Sequence, residues 1–164
     1  MKAYFESKVR PVMGEAVIQD AVKAQNSKTA PLTSAEIDAL DKDWRAQAKA
    51  GRGALLETVL SNPASQRLKA LKADSSGTIA EIFVIDAKGL NVGQSDVTSD
   101  YMQGDEAKWQ KTFLGGPEAV FVDEVDFDDS SQAFQAQISA TLVNPADGKA
   151  IGAVTVGLAI EKLP

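Results

Sequence analysis

The side chains best suited to bind a metal ion or transfer a proton are concentrated in one acidic segment. Residues 123–129, DEVDFDD, hold five carboxylates in seven positions. A calcium site needs six or more oxygen ligands converging in a loop, and Asp126, Asp128 and Asp129 would supply three. The EF-hand spacing is missing, and nothing in the sequence sets the separation of two acids as glycoside hydrolysis requires. We therefore interpret the segment as a solvated strand end and its turn, and expect neither a metal site nor an enzyme.

Cysteine and histidine are both missing from the 164 residues. Their absence excludes a disulfide framework, a zinc finger, a cysteine nucleophile and a Ser-His-Asp triad. The length suits one domain, and 44% hydrophobic with 24% charged residues is ordinary for a globular protein. This composition favours a protein that recognises a molecule through aromatic, amide and carboxylate groups, and we expect no cofactor.

The charge is divided unevenly along the chain. Residues 1–72 carry 12 Lys/Arg and 8 Asp/Glu, a net +4, whereas residues 73–164 carry 5 and 15, a net −10. Nucleic-acid binding needs clustered basic residues, so we expect no nucleic-acid partner. The longest apolar stretch, Ala150–Ile160, has eleven residues, and a spanning helix needs about 20. The N-terminus lacks the apolar core of a signal peptide, so either the protein is cytosolic or a leader has been removed.

The first half of the chain has a helical spacing of apolar residues. Positions from Phe5 to Ala21 recur three and four apart, which places them on one helical face. Pro11 either opens a helix near Arg10 or kinks a longer one. Thr33-Ser-Ala-Glu36 fits a capping box at the start of another helix. Further breaks are expected at 26–31, at Gly51 and at Asn62-Pro63.

The second half changes to a strand period, with one short helix at Glu106–Phe113. The five predicted strands are Ile79–Asp86, Leu90–Ser95, Ala119–Phe127, Gln132–Val143 and Ala150–Ile160. The last three are joined by short turns and are therefore expected to be antiparallel neighbours. We predict an α+β fold in a single domain, 1–164, with a helical layer (1–72) packed on a five-stranded antiparallel sheet (79–160).

Several of these segments together are typical of one family of sensor domains. They are the hairpin Ile82–Gly89 (IFVIDAKG), the strand Leu90–Asp96 (LNVGQSD), the loop and helix Thr98–Trp109, the strand Ile151–Gly157 (IGAVTVG) and, upstream, Glu36–Trp44. On these motifs the chain resembles the Cache or PDC domain, a PAS-like extracytoplasmic sensor, of the single-Cache type. The resemblance covers roughly residues 33–162.

The resemblance implies a long N-terminal helix, a helical connector and a five-stranded sheet whose ligand pocket lies under the connection between the second and third strands. It implies a signal-transduction domain in the periplasm or outside the cell. Such domains usually precede a histidine kinase, chemoreceptor or cyclase module, and this chain would be either such a sensory domain by itself or a free-standing secreted one. Membrane attachment would come only through segments absent from this chain. The helix at residues 4–24 is a candidate homodimer interface.

The resemblance also suggests which side chains bind the ligand. Tyr101 and Trp109 combine an apolar body with a polar tip; alternatively, Trp109 and Phe113 anchor the short helix to the core. Asp96 or Asp100 would bind an ammonium group, or else cap the turn at 95–99.

Three further residues complete the candidate site. Gln103 lies in the same connection, Lys111 would bind a ligand carboxylate, and Gln137 belongs to a polar row on the fourth predicted strand. Lys108 is interpreted as part of a solvated face. The polar row is equally compatible with a solvent-facing side of the sheet.

Two functions follow from this. The first is a sensor of a small carboxylate or an amino-acid-like metabolite. The second is a structural or dimerisation module of the same fold, and side chains filling the space beneath Trp109 would favour it.

Overall fold

The protein folds as helices packed on one antiparallel sheet, which confirms the predicted α+β class. The computed structural model describes residues 1–128 and 133–164. The helices are α1 (Lys2–Tyr4), α2 (Arg10–Met13), α3 (Ala16–Thr29), α4 (Ser34–Ala50), α5 (Ala54–Ser61), α6 (Pro63–Asp74) and α7 (Ala107–Gln110). None of the helices in these ranges has the length and apolar character needed to traverse a bilayer.

The sheet has six strands within the described residues, one more than predicted. They are β1 (Ile79–Asp86), β2 (Asn91–Gln94), β3 (Val120–Val122), β4 (Asp126–Asp128), β5 (Ala133–Val143) and β6 (Ala150–Ala159). The spatial order is β2-β1-β6-β5-β3, and β4 also pairs with β5. The predicted strand Ala119–Phe127 is divided because residues 123–125 leave the ladder between β3 and β4. The predicted start at Gln132 lies outside the described residues.

The N-terminal helix is broken rather than continuous from residue 4 to 24. A π-helical turn, Phe5–Val9, precedes α2, where Pro11 occupies the first turn. The helical run is continuous from Lys2 to Met13, and proline, which has no N–H for the α-helical ladder, lies two residues after the π-helical turn that already interrupts that ladder. The chain then leaves the helix at Gly14 and Glu15, and α3 begins at Ala16.

One predicted helix start is confirmed by its cap, and the predicted break at Asn62-Pro63 coincides with the start of a further helix. The Thr33 hydroxyl accepts from Glu36 N at 3.2 Å while Glu36 accepts from Thr33 N at 2.7 Å, a complete capping box. Asn62 accepts from Ser65 N at 2.8 Å and begins α6. These side chains satisfy backbone donors that a helix leaves unpaired at its first turn. The predicted break at 26–31 is placed too early, because α3 continues to Thr29.

The main core lies between the helices and one face of the sheet. Side chains alternate along each strand, and the even-numbered positions of β1, β5 and β6 point to the helices. This core includes Ile82, Val84, Ile138, Val154 and Val156, all at most 1% exposed. Among residues 1–128 and 133–164, the opposite face of the sheet is covered by the short helix α7 and not by a layer of long helices. The candidate site lies on this face.

Candidate functional site on the open face of the sheet

A polar row crosses three strands on the open face. Glu81 on β1 and Gln137 on β5 are both aligned with Gly157 on the intervening strand β6. Gln137 Nε2 donates to Glu81 Oε1 at 2.8 Å. Strands two apart are separated by roughly 10 Å, so the two long side chains meet above a residue that has no side chain. A Cβ at Gly157 would lie 3.0 Å from Glu81 Cγ, which shows how closely Glu81 passes over it.

This row borders a cavity of about 820 Å³. Its walls are the row itself, α7 and the segment that joins β3 to β4. The lining residues are Glu81, Glu106, Lys108, Asp123, Glu124, Val125, Asp126, Phe127, Gln135, Ala136 and Gln137. The volume falls within the range of small-molecule sites, and its polar lining is mainly acidic.

A second row forms the floor beside the cavity. Phe83, Thr155 and Ser139 are aligned across β1, β6 and β5, and Phe121 of β3 continues the row. The hydroxyls of Ser139 and Thr155 are buried and hydrogen-bonded to each other at 2.9 Å. Because each hydroxyl satisfies the other, this part of the floor is polar in composition but already internally paired.

The helix α7 is held to the sheet by aromatic side chains. Trp109 stacks on Phe113 with 5.2 Å between ring centroids, and both pack on Phe83, Ile85 and Ala153. This packing supports the interpretation of Trp109 as an anchor of α7. Trp109 also borders a separate cavity of about 250 Å³ between α7 and α4, whereas the 820 Å³ cavity lies on the other side of α7.

The positions of Lys108 and Lys111 are the reverse of the sequence interpretation, which put Lys108 on a solvated face and Lys111 at the ligand. Lys108 is not on a solvated face: its side chain is 13% exposed, it lines the cavity, and its Nζ lies 5.4 Å from the Phe83 ring centroid. Lys111 is exposed, with its Nζ 4.4 Å from the Phe121 ring centroid. Lys111 is not among the lining residues. Lys108 belongs to α7, whereas Lys111 follows its last residue, Gln110.

Tyr101 lies in the connection between β2 and β3 and belongs to a hydrophobic cluster separate from the cavity. It is 5% exposed and its ring stacks on Trp44 of α4 at 5.4 Å. Burial, with a further contribution from the charge of Asp86, raises the pKa of Tyr101 to about 12. The backbone N–H groups of Tyr101 and Met102 both donate to Asp41 Oδ1 at 2.9 Å. These contacts attach the connection to α4, and Tyr101 does not line the cavity.

The remaining predicted residues of the connection also lie outside the cavity. Asp96 pairs with Lys72 of α6 at 2.6 Å, and Asp100 pairs with Arg45 of α4 at 3.2 Å. Gln103 is 3% exposed and donates to the backbone oxygen of Asp100 at 3.1 Å. Asp96 and Asp100 thus attach the connection to α6 and α4, and Gln103 forms a hydrogen bond within the connection. Of the seven residues predicted to bind ligand, Gln137 is the one that borders the cavity.

Sequence reasoning missed Glu81, Glu106 and Gly157 and misjudged Lys108. Glu81 carried a usable signal, because it is the one charged side chain ahead of Asp86 in a strand otherwise rich in apolar residues. No local sequence signal predicts the pairing of Glu81 with Gln137 over Gly157, because this pairing depends on strand register across the sheet.

The acidic segment contributes to the cavity wall without forming a metal centre among the described residues. No group of three or more Asp or Glu side chains within residues 1–128 and 133–164 is placed to hold a metal ion. Asp126 lines the cavity, and Asp129 lies outside the described residues. Within the segment, Glu124 N donates to Asp123 Oδ1 at 2.9 Å.

Comparison with known proteins gives similar structures but no sequence family. No family model matches the chain, and no curated protein matches it. Among solved structures, the ligand-binding domain of the Campylobacter jejuni chemoreceptor Tlp3 in complex with 4-methylisoleucine is 16% identical, with 97% of this chain and 61% of that chain covered and a TM-score of 0.46.

Two other sensor domains are similar to a comparable degree. The ligand-binding domain of the Pseudomonas aeruginosa PAO1 amino-acid chemoreceptor PctC, in complex with GABA, is 15% identical over 76% of this chain and 60% of that chain, with a TM-score of 0.47. The sensor domain of the V. cholerae histidine kinase DctB is 12% identical over 87% and 54%, with a TM-score of 0.43. The chain spans about three-fifths of the length of the solved structures that it matches. The structures to which it is similar are thus ligand-binding sensor domains of chemoreceptors and of a histidine kinase.

Proposed function

We propose that this chain is an extracytoplasmic sensor domain that binds a small molecule carrying an ammonium group, such as an amino acid or a related amine. The cavity on the open face is the binding site. Binding there would change the position of the helical layer and so alter the output of an attached or separate signalling module.

The observation that carries the proposal is the state of Glu81. Its Oε1 accepts from Gln137, and its Oε2 has no hydrogen-bond partner among residues 1–128 and 133–164. A half-buried carboxylate oxygen at the border of a cavity is a suitable acceptor for a ligand ammonium, and charge-assisted hydrogen bonds are the stronger kind. Gln137 holds the carboxylate in place, so little side-chain ordering remains to oppose binding.

The charge of the cavity supports the same class of ligand. Five carboxylates and one lysine line it, so a cation entering it gains favourable electrostatic energy and an anion loses it. This favours the amine-bearing ligands of the sequence hypothesis over small carboxylates. Tlp3 and PctC were crystallised with 4-methylisoleucine and GABA, and these compounds supply the first probes.

The test is a thermal-shift screen of amino acids, amines and small carboxylic acids, followed by calorimetry on any compound that binds. A ligand at 100 times its dissociation constant stabilises the fold by about 2.7 kcal/mol, so a clear rise in melting temperature is expected for at least one amine-bearing compound. Failure of every compound to raise the melting temperature at millimolar concentration would overturn the proposal.

Two matched variants locate the site. Glu81→Gln keeps the shape and the bond from Gln137 but removes the charge, and we expect roughly 10-fold or more weaker binding. Asp96→Asn removes a carboxylate that pairs with Lys72 away from the cavity, and we expect unchanged binding. The reverse pattern would place the ligand in the connection instead.

The structural or dimerisation module is a second candidate because Trp109 packs on Phe83, Ile85 and Ala153 as an anchor of α7. It predicts no stabilising compound in the same screen. It also predicts a dimer by analytical ultracentrifugation that is independent of any added small molecule.

A further inference from the structure

The lysine of the cavity is already occupied by a neighbouring carboxylate. Lys108 Nζ lies 2.8 Å from Glu106 Oε2, and the two side chains are 13% and 38% exposed. Among the described residues, Lys108 is the one cationic side chain that lines the cavity, and Glu106 lines it as well. The ion pair is therefore part of the binding surface itself.

A ligand carboxylate would have to compete with Glu106 for this lysine. Glu106 is attached to the chain two residues before Lys108, so it faces the ammonium at a high effective concentration. A free carboxylate would also bring its charge close to Glu106 and to the other acids of the cavity. Since like charges brought together are costly, the carboxylate of an α-amino acid gains little from Lys108.

An ammonium group on a ligand, unlike a carboxylate, is attracted by the charges of the cavity. With Lys108 and Glu106 paired, the lining carboxylates that remain are Glu81, Asp123, Glu124 and Asp126, with no lysine or arginine opposing them within the described lining. A second positive charge on the ligand is therefore favourable, whereas a negative charge is not.

We propose that Glu106 is the specificity-determining residue of the cavity: by occupying Lys108 as an internal counter-ion, it makes the site select short diamines over α-amino acids of the same length. The inference rests on the proposed function, because it concerns the same cavity. It narrows the ligand class to amines that lack a carboxylate.

The test compares 1,5-diaminopentane with L-lysine, which differs from it by a carboxylate on one end. Isothermal titration calorimetry on the unmodified chain should give at least 10-fold tighter binding of the diamine. Glu106→Gln removes the charge that pairs with Lys108 and keeps the shape of the side chain. L-lysine should therefore bind at least 10-fold more tightly to this variant than to the unmodified chain, and the preference for the diamine should disappear or reverse. Glu106 makes no side-chain capping bond to α7, and circular dichroism checks that the variant stays folded.

Two further variants separate this effect from a general loss of negative charge. Glu124→Gln removes a cavity carboxylate that does not touch Lys108, and it should weaken both ligands without changing their ratio. Adding Lys108→Met to Glu106→Gln should abolish the gain for L-lysine.

The outcomes distinguish the inference from the function on which it rests. Equal binding of the two compounds by the unmodified chain, or an unchanged ratio in Glu106→Gln, would overturn the role of Glu106 and leave the sensor intact. Binding of neither compound, when other amino acids or amines bind in the screen, would overturn the diamine preference alone. If no compound binds to the unmodified chain or to Glu106→Gln, both the role of Glu106 and the proposed sensor function are overturned.

Discussion

The indole nitrogen of Trp109 donates a 3.0 Å hydrogen bond to the backbone oxygen of Asp86. Asp86 is fully buried at the end of β1, and its carboxylate accepts from Gln25 Nε2 at 3.0 Å and Thr29 Oγ1 at 2.9 Å, both on α3. The same carboxylate accepts from Lys88 N and Leu90 N in the following turn. One residue thus joins the helix beside the cavity to the helical layer on the opposite face of the sheet.

Trp109 should hold α7 in place through this bond. A four-residue helix has little stability of its own, so we expect Trp109→Phe, which keeps an aromatic ring, to lower the free energy of unfolding by about 1 kcal/mol. Hydrogen exchange should become faster for the amides of 107–113 and stay unchanged in α6, which does not contact Trp109. Equal acceleration in both segments would show a global effect instead of a local one.

Asp41 should stabilise the connection in a pH-dependent way. Burial alone would raise the pKa of Asp41, but hydrogen bonds from Met102 N, Arg45 and Tyr101 N outweigh it and hold the pKa below its usual 3.8. A lowered pKa means that the stabilisation is complete above the unfolded value and is lost as the pH falls through the folded value.

We therefore expect Asp41→Ala to cost about 1–3 kcal/mol at pH 7, since two backbone N–H groups lose their acceptor. Urea denaturation of both proteins from pH 7 to pH 2 checks this. The difference between them should shrink below about pH 4, and a constant difference would contradict the charge-dependent role.

Tyr101 should make the fold sensitive to alkali. Its pKa is raised to about 12 from 10.0 by burial, so the stabilisation is complete below pH 10 and is lost as the pH rises through 12. At pH 12 the loss from this group is on the order of 2 kcal/mol.

The control for Tyr101 is Tyr101→Phe, which keeps the stack on Trp44 and has no proton to lose. Denaturation at pH 9, 10.5 and 12 should show a steeper decline for the unmodified chain than for the variant. Parallel declines would mean that Tyr101 ionises as readily in the folded protein as in the unfolded one.

Local patterns in the sequence were sufficient to predict most of the helices and strands. The capping box at Thr33 and the break at Asn62-Pro63 are confirmed because each depends only on residues within one turn of the chain. The strands β1, β5 and β6 are likewise close to their predicted bounds, since alternation and β-branched runs are properties of the strand itself. The break at Gly14 and Glu15 was not predicted.

The sequence by itself determined the fold class, the division into a helical half and a strand half, and the lack of histidine and cysteine chemistry. Only the tertiary structure decided which charged groups share a cavity. Glu81 and Gln137 are 56 positions apart and meet because β6 places Gly157 between them. Lys108 lines the cavity and Lys111 does not, and this follows from the way α7 lies on the sheet, where Trp109 packs on Phe83, Ile85 and Ala153. Contacts of this kind depend on register and helix orientation, which are set by packing across the whole domain.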